Sequence, residues 1–184
     1  ENSDVIRVMV ENGIKVSVTG KAKTQNYNGK ETINFIDTRV SGSPIHEEYL
    51  KKMAFKEELG RLYIAKDEKH KNFLTKLREA KTAKNKTLVD SLTQYEEYKQ
   101  MAADEDIFFK TAAEKTEQAV MDNKASWWGP FIMLESMSWF EEDQKPWYAA
   151  FSPEAQKSHY GQIVYKELYP ETLEGKPAPN FSVT

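Results

Sequence analysis

The chain has 184 residues, 39% hydrophobic and 12% aromatic, enough for one ordinary domain or a domain with a small appendage. Its net charge of −3 gives no electrostatic basis for binding nucleic acid or an anionic membrane surface. No apolar run reaches the ~18 residues of a membrane span, and the absence of cysteine excludes disulfides, thiolate metal sites and a cysteine nucleophile within these residues.

Residues 5–41 read as strands. Ile14, Val16 and Val18 alternate with Lys15, Ser17 and Thr19, the period-two pattern of a half-buried strand. An apolar run over residues 5–10 precedes it, and Glu11-Asn12-Gly13 between the two predicts a hairpin turn, since Asn-Gly accepts positive φ. Residues 20–30 are polar and read as a loop. A third strand runs through Ile33, Phe35 and Ile36 towards Val40. Three strands with one apolar face make a poor sheet alone, so helices or further strands are expected to cover them. The unpaired edge predicts either partial disorder before Gly20 or strand addition from a second copy, a homodimer through the β-region.

At Ser41-Gly42-Ser43-Pro44 the pattern changes to helix, with Ser43 as cap and Pro44 at the first helical position. Ile45, Tyr49, Met53, Leu59, Leu62 and Tyr63 recur at threes and fours, and Phe73, Leu74, Leu77, Ala80 and Ala83 continue the row. A break falls near Asn85. A second long helix follows through Leu88, Leu92, Tyr95, Ala102, Phe109, Ala112 and Val120. Residues 66–86 are mostly basic and residues 90–117 mostly acidic, so a turn near Asn85 would lay the two arms antiparallel. His46 and His70 lie in charged stretches and read as solvated; with His159 they show no metal-ligand spacing. Asp104-Glu105-Asp106 lacks the glycine and spacing of a calcium loop.

The most apolar stretch is Ser126 to Phe140, read as one central helix capped by Ser126 with Pro130 in its first turn. Trp127, Phe131 and Leu134 form one row, Met133, Met137 and Phe140 another, and Trp128, Ile132 and Trp139 widen the surface. This stripe predicts core packing rather than a ligand pocket. Residues 141–146 read as a loop and 147–151 as a short apolar cluster. Ser152-Pro153-Glu154 starts a last helix through Tyr160, Ile163, Val164 and Leu168, ending before Pro170. Two prolines and a glycine in residues 174–184 predict an extended tail. The expected fold is α+β: a small antiparallel β-region over about 5–41, a predominantly helical region over about 44–169, and that tail. No phosphate-binding loop, nucleophile elbow or metal cluster accompanies it.

The tail carries one further signal. Gly175-Lys-Pro-Ala178-Pro179-Asn-Phe181 resembles the Gly-x-x-Ala-Pro-x-Phe opening of thioredoxin-like proteins of the peroxiredoxin and TlpA/ResA-like groups. The order of elements before it resembles the N-terminal module of unknown function that precedes such domains in bacterial envelope thiol–disulfide oxidoreductases. The matching steps are the β-region, the Gly42-Ser43 junction, a charged helical stretch, Asn123 to Ser126, Ser152 to Glu154, and the tail.

The resemblance implies residues 1–42 as part of a β-region, 43–170 as a helical region, and 171–184 as a linker opening a truncated thioredoxin-like domain. It implies a non-catalytic module without cofactor, in the periplasm or cell envelope of a Gram-negative bacterium. Its partners would be the downstream redox domain of the same protein and a redox partner protein. No catalytic residue transfers, because the redox cysteines have no counterpart here. The alternative is an independent helical ligand- or protein-binding module without a redox connection.

Overall fold

The computed structural model describes residues 2–3, 5–27 and 29–170. The tail residues Gly175, Ala178, Pro179 and Phe181 lie outside them. The fold is α+β, a small sheet at the N-terminus followed by helices, and it divides into two compact units, residues 1–54 and 55–184.

In the first unit, β1 (Asn2–Ser3), β2 (Ser17–Tyr27) and β3 (Lys30–Ser41) form a sheet of order β1–β3–β2. β2 and β3 pair antiparallel from Tyr27↔Lys30 to Ser17↔Ser41, while β1 adds a short parallel pairing at Thr32 and Ile33. The hairpin therefore turns between Tyr27 and Lys30, with Gly29 at φ +79°, and residues 20–27 are strand rather than loop. Long-range ladder pairing, which local polarity does not report, overrides the turn-like composition there. A bulge places Asp37 and Thr38 opposite Gly20; Asp37 sits at φ +56° with its carboxylate 3.2 Å from Lys21 Nζ.

Residues 5–10 are not a strand, although the turn at Asn12-Gly13 does form. The reason lies in Met9, whose backbone is satisfied by side chains instead of a ladder. Its N–H donates to His46 Nδ1 at 3.4 Å, and its carbonyl accepts from Ser43 Oγ at 2.6 Å. Ser43 Oγ also accepts the His46 N–H at 3.2 Å, capping α1 (Pro44–Lys69) as its sequence position predicts. His46 is consequently buried, not solvated, and stacks on Tyr49. Gly42 holds the strand-to-helix corner at φ +82°, where a Cβ would strike the Lys15 carbonyl oxygen.

In the second unit the chain continues from α1 into α2 (Lys71–Thr82), α3 (Lys86–Leu92) and α4 (Glu96–Asp122). The expected break at Asn85 is present, with Lys84 at φ +53° and Asn85 Oδ1 accepting the Leu88 N–H at 3.1 Å. Two further breaks, at His70 and at residues 93–95, divide each predicted long helix. The arms run antiparallel: Glu58 meets Lys115, Tyr63 meets Phe108, His70 meets Asp104 and Phe73 meets Tyr98. α3 closes the tip over a core of Phe73, Leu77, Ala80, Leu92 and Met101.

The remaining helices are α5 (Trp128–Ser136), α6 (Lys145–Ala149), α7 (Pro153–Lys157) and α8 (His159–Leu168). α5 packs on α4, α7 and α8, and Trp128, Phe131, Ile132 and Met133 are buried with Val120, Phe151, Ala155, Val164 and Leu168. Trp127 stacks on Trp128 and lies against Tyr160. The apolar stretch is thus a core, yet its helix is shorter than predicted. Met137 turns extended (φ −123°, ψ 134°), and Trp139 is 71% exposed rather than buried. Ser136 and Ser138 weaken the helix at that point. A reciprocal pair between Glu141 and Gln144 then restarts the chain in a new direction through a 3₁₀ turn, Glu142–Gln144.

The last predicted helix is two. Ser158 ends α7 and caps α8, its Oγ accepting the Gly161 N–H at 3.0 Å, while Ser152 caps α7 as expected. Burial, helped by Tyr165 and Tyr169, pushes the Tyr148 phenol above its usual range.

Candidate functional site

Two places in the helical unit gather chemistry-bearing side chains. The first is the junction of α1 and α2. Asp104, on α4, accepts from Lys69 Nζ at 2.5 Å and lies 2.6 Å from His70 Nε2. These two bonds, Lys69 first, hold the Asp104 carboxyl below the usual carboxylate range. His70 is only 6% exposed, which overturns its expected solvation. The antiparallel register predicted from the charge blocks does bring this basic pair onto an acidic partner. Elsewhere the blocks pair less simply: Lys115 of the acidic arm meets Glu58, and Lys66 and Lys71 pair locally with Asp67 and Glu68.

A cavity of about 310 Å³ adjoins this junction, lined by Leu62, Lys66, Lys69, Asp104, Phe108 and Thr111 among others. Its one hydroxyl, that of Thr111, donates to the Ile107 carbonyl at 2.8 Å. It is therefore occupied within its own helix and not aligned on an acceptor base. The imidazole–carboxylate pair acts as a latch between the helical arms. Among the described residues no group of three or more histidine or acidic side chains is arranged to hold a metal ion.

The second place is a groove between the C-terminal half of α4 and residues 136–147, about 710 Å³ in volume. Phe109, Trp139 and Trp147 supply its aromatic surfaces and Ala112, Ala113 and Thr116 its small ones. Ser136 Oγ lies shielded from solvent without a hydrogen-bond partner. Glu114, Glu117, Asp143 and Lys110 line the rim. The composition of this groove was hidden in the sequence, because Trp139 reads as one more core position of a continuous helix. The serines flanking Met137 were the only local sign that the helix stops.

The tail residues singled out by sequence, Gly175, Ala178, Pro179 and Phe181, lie outside the described residues and are not placed in either site. No helix among the described residues is long and apolar enough to cross a membrane. No family model matches the chain, and neither a curated protein nor a solved structure matches it significantly.

Proposed function

We propose that this chain is a non-catalytic module of a bacterial envelope thiol–disulfide oxidoreductase, which recognises a partner or positions a downstream thioredoxin-like domain. The observation that carries this reading is Gly175-x-x-Ala178-Pro179-x-Phe181, which follows in sequence the Ser-Pro-Glu helix start at Ser152 and the last helix, ending at Leu168. The order of β-hairpin, Gly42-Ser43 corner and charged helical arms supports it. Thiol–disulfide exchange needs a thiolate that attacks sulfur, forming a mixed disulfide, and a second thiol that releases it. The 184 residues contain neither thiol, so the proposal assigns redox chemistry to the downstream thioredoxin-like domain and none to these residues. The same reading places the protein in the periplasm or cell envelope and gives the open β2 edge as a surface for a second copy.

The test is thiol-dependent insulin reduction. These 184 residues are expected to match the buffer blank. The polypeptide extended past Thr184 is expected to be active, and to lose activity when the first cysteine of its Cys-x-x-Cys is replaced. Redox activity in the isolated chain, or a downstream segment without cysteines, would contradict the proposal. The second reading, an independent binding module, draws on the aromatic groove beside α4.

A further inference from the structure

The groove between α4 and residues 136–147 has the composition of a binding surface. Trp139 and Phe109 are largely exposed there, and Trp147 is half-buried. Exposing large aromatic side chains along a single groove is uncommon unless something covers them. Phe109 is braced edge-on by Phe108 at 5.5 Å, but no ring contact joins Phe109, Trp139 and Trp147 to one another. The slot between them stays open. On its far side the Glu141–Gln144 reciprocal bonds set the backbone path that leads into Trp147.

The polar groups narrow the ligand class. Glu114, Glu117 and Asp143 outnumber Lys110 on the rim, and none of the four takes part in an ion pair among the described residues. Such a rim favours a cationic ligand. The interior offers flat rings and the small side chains of Ala112 and Ala113, while Ser136 Oγ is shielded from solvent. A ligand suited to this interior has few N–H groups to satisfy and rigid apolar faces to lay on the rings. Proline-containing backbone in the polyproline II conformation has both properties, and it loses little entropy on binding.

We propose that this groove binds an extended, proline-containing peptide segment bearing lysine or arginine. Its prolines lie on Trp139, Trp147 and Phe109, and its cations face Glu114, Glu117 and Asp143. The inference stands apart from the redox reading, since it uses only described residues of the helical unit.

The experiment is a calorimetric titration of the full chain with a synthetic peptide of alternating lysine and proline. Peptides of alternating lysine and alanine, and of alternating glutamate and proline, serve as comparisons. The lysine–proline peptide is expected to saturate, with each comparison weaker by about tenfold or more. Trp139→Ala should lower affinity about tenfold while leaving the unfolding midpoint near that of the parent. Should that variant misfold, Ala113→Phe fills the groove from α4 and is expected to give the same loss. Glu114→Gln with Glu117→Gln should weaken binding severalfold and flatten its salt dependence. Absence of saturation, equal affinity for the lysine–alanine peptide, or full affinity in both folded groove variants would overturn the proposal.

Discussion

Two regions of this chain treat their apolar side chains in opposite ways. Around α5, Ile132, Met133, Val164 and Ala155 are fully enclosed, and packing sustains a helix too short to be stable alone. In the β2–β3 hairpin, Ile33 and Phe35 sit opposite Thr24 and Ala22 on one face and remain 45% and 41% exposed. A long ladder of backbone bonds defines the hairpin, while little apolar burial supports it. The difference teaches that regular secondary structure and stability are separate here. The hairpin strands are longer than α5, and the α5 cluster is the more deeply buried.

The comparison breaks most visibly at Ile132. Ile132→Ala is expected to cost about 2–5 kcal/mol in urea unfolding, because a fully buried side chain leaves a cavity. Ile33→Ala, on the hairpin, should cost under about 1 kcal/mol, as for a half-exposed strand position. Equal costs at the two positions would erase the distinction.

Gly161→Ala comes next. An added Cβ would meet the carbonyl oxygens of Ala155 and Gln156, both backbone atoms of α7 that cannot swing aside. About 1–3 kcal/mol of destabilisation is expected, and a neutral result would show that α7 and α8 are not tightly joined.

The latch sharpens the account through pH. Lys69 and His70 hold the Asp104 carboxyl below its usual range, so the folded chain favours the ionised form. That contribution is complete above an ordinary carboxylate pKa of about 4 and disappears as pH falls through the lowered folded value. Asp104→Asn should therefore unfold at lower urea than the parent near pH 6, with the gap narrowing on acidification below about pH 4. A gap independent of pH would remove Asp104 ionisation from the stability of the helical arms. The smallest effect is expected at Trp139, where Ala should change stability by less than about 0.5 kcal/mol.

Much of the helical unit was legible in the sequence. Ser43-Pro44, Asn85 and Ser152-Pro153 mark helix starts that the structure keeps, since a cap depends on a few adjacent residues. The antiparallel arms followed from the charge blocks, and the core role of residues 128–133 from their lack of a polar side. Breaks set by distant partners were not legible. His70 leaves the helical path where its ring meets Asp104, thirty-four residues away. Met9 avoids a ladder because Ser43 and His46 claim its backbone. The two Asn-Gly pairs, at 12–13 and 28–29, are locally equivalent, and only strand pairing decides which one closes the hairpin. Of the candidate sites, the latch was half visible as opposite charges. The groove was invisible, because a tryptophan exposed by an early helix stop has the same local pattern as a buried one.

Native-state hydrogen exchange of the full chain tests the central contrast most directly, since it reads local and global opening in one sample. The account predicts that amides of Ile132, Met133 and Val164 exchange only through global unfolding, with denaturant dependence equal to that of the whole helical unit. Ladder amides across β2 and β3, such as those of Lys23 and Asn34, should exchange through a local opening of much lower free energy. Equal protection in the hairpin and around α5, with the same denaturant dependence, would contradict it.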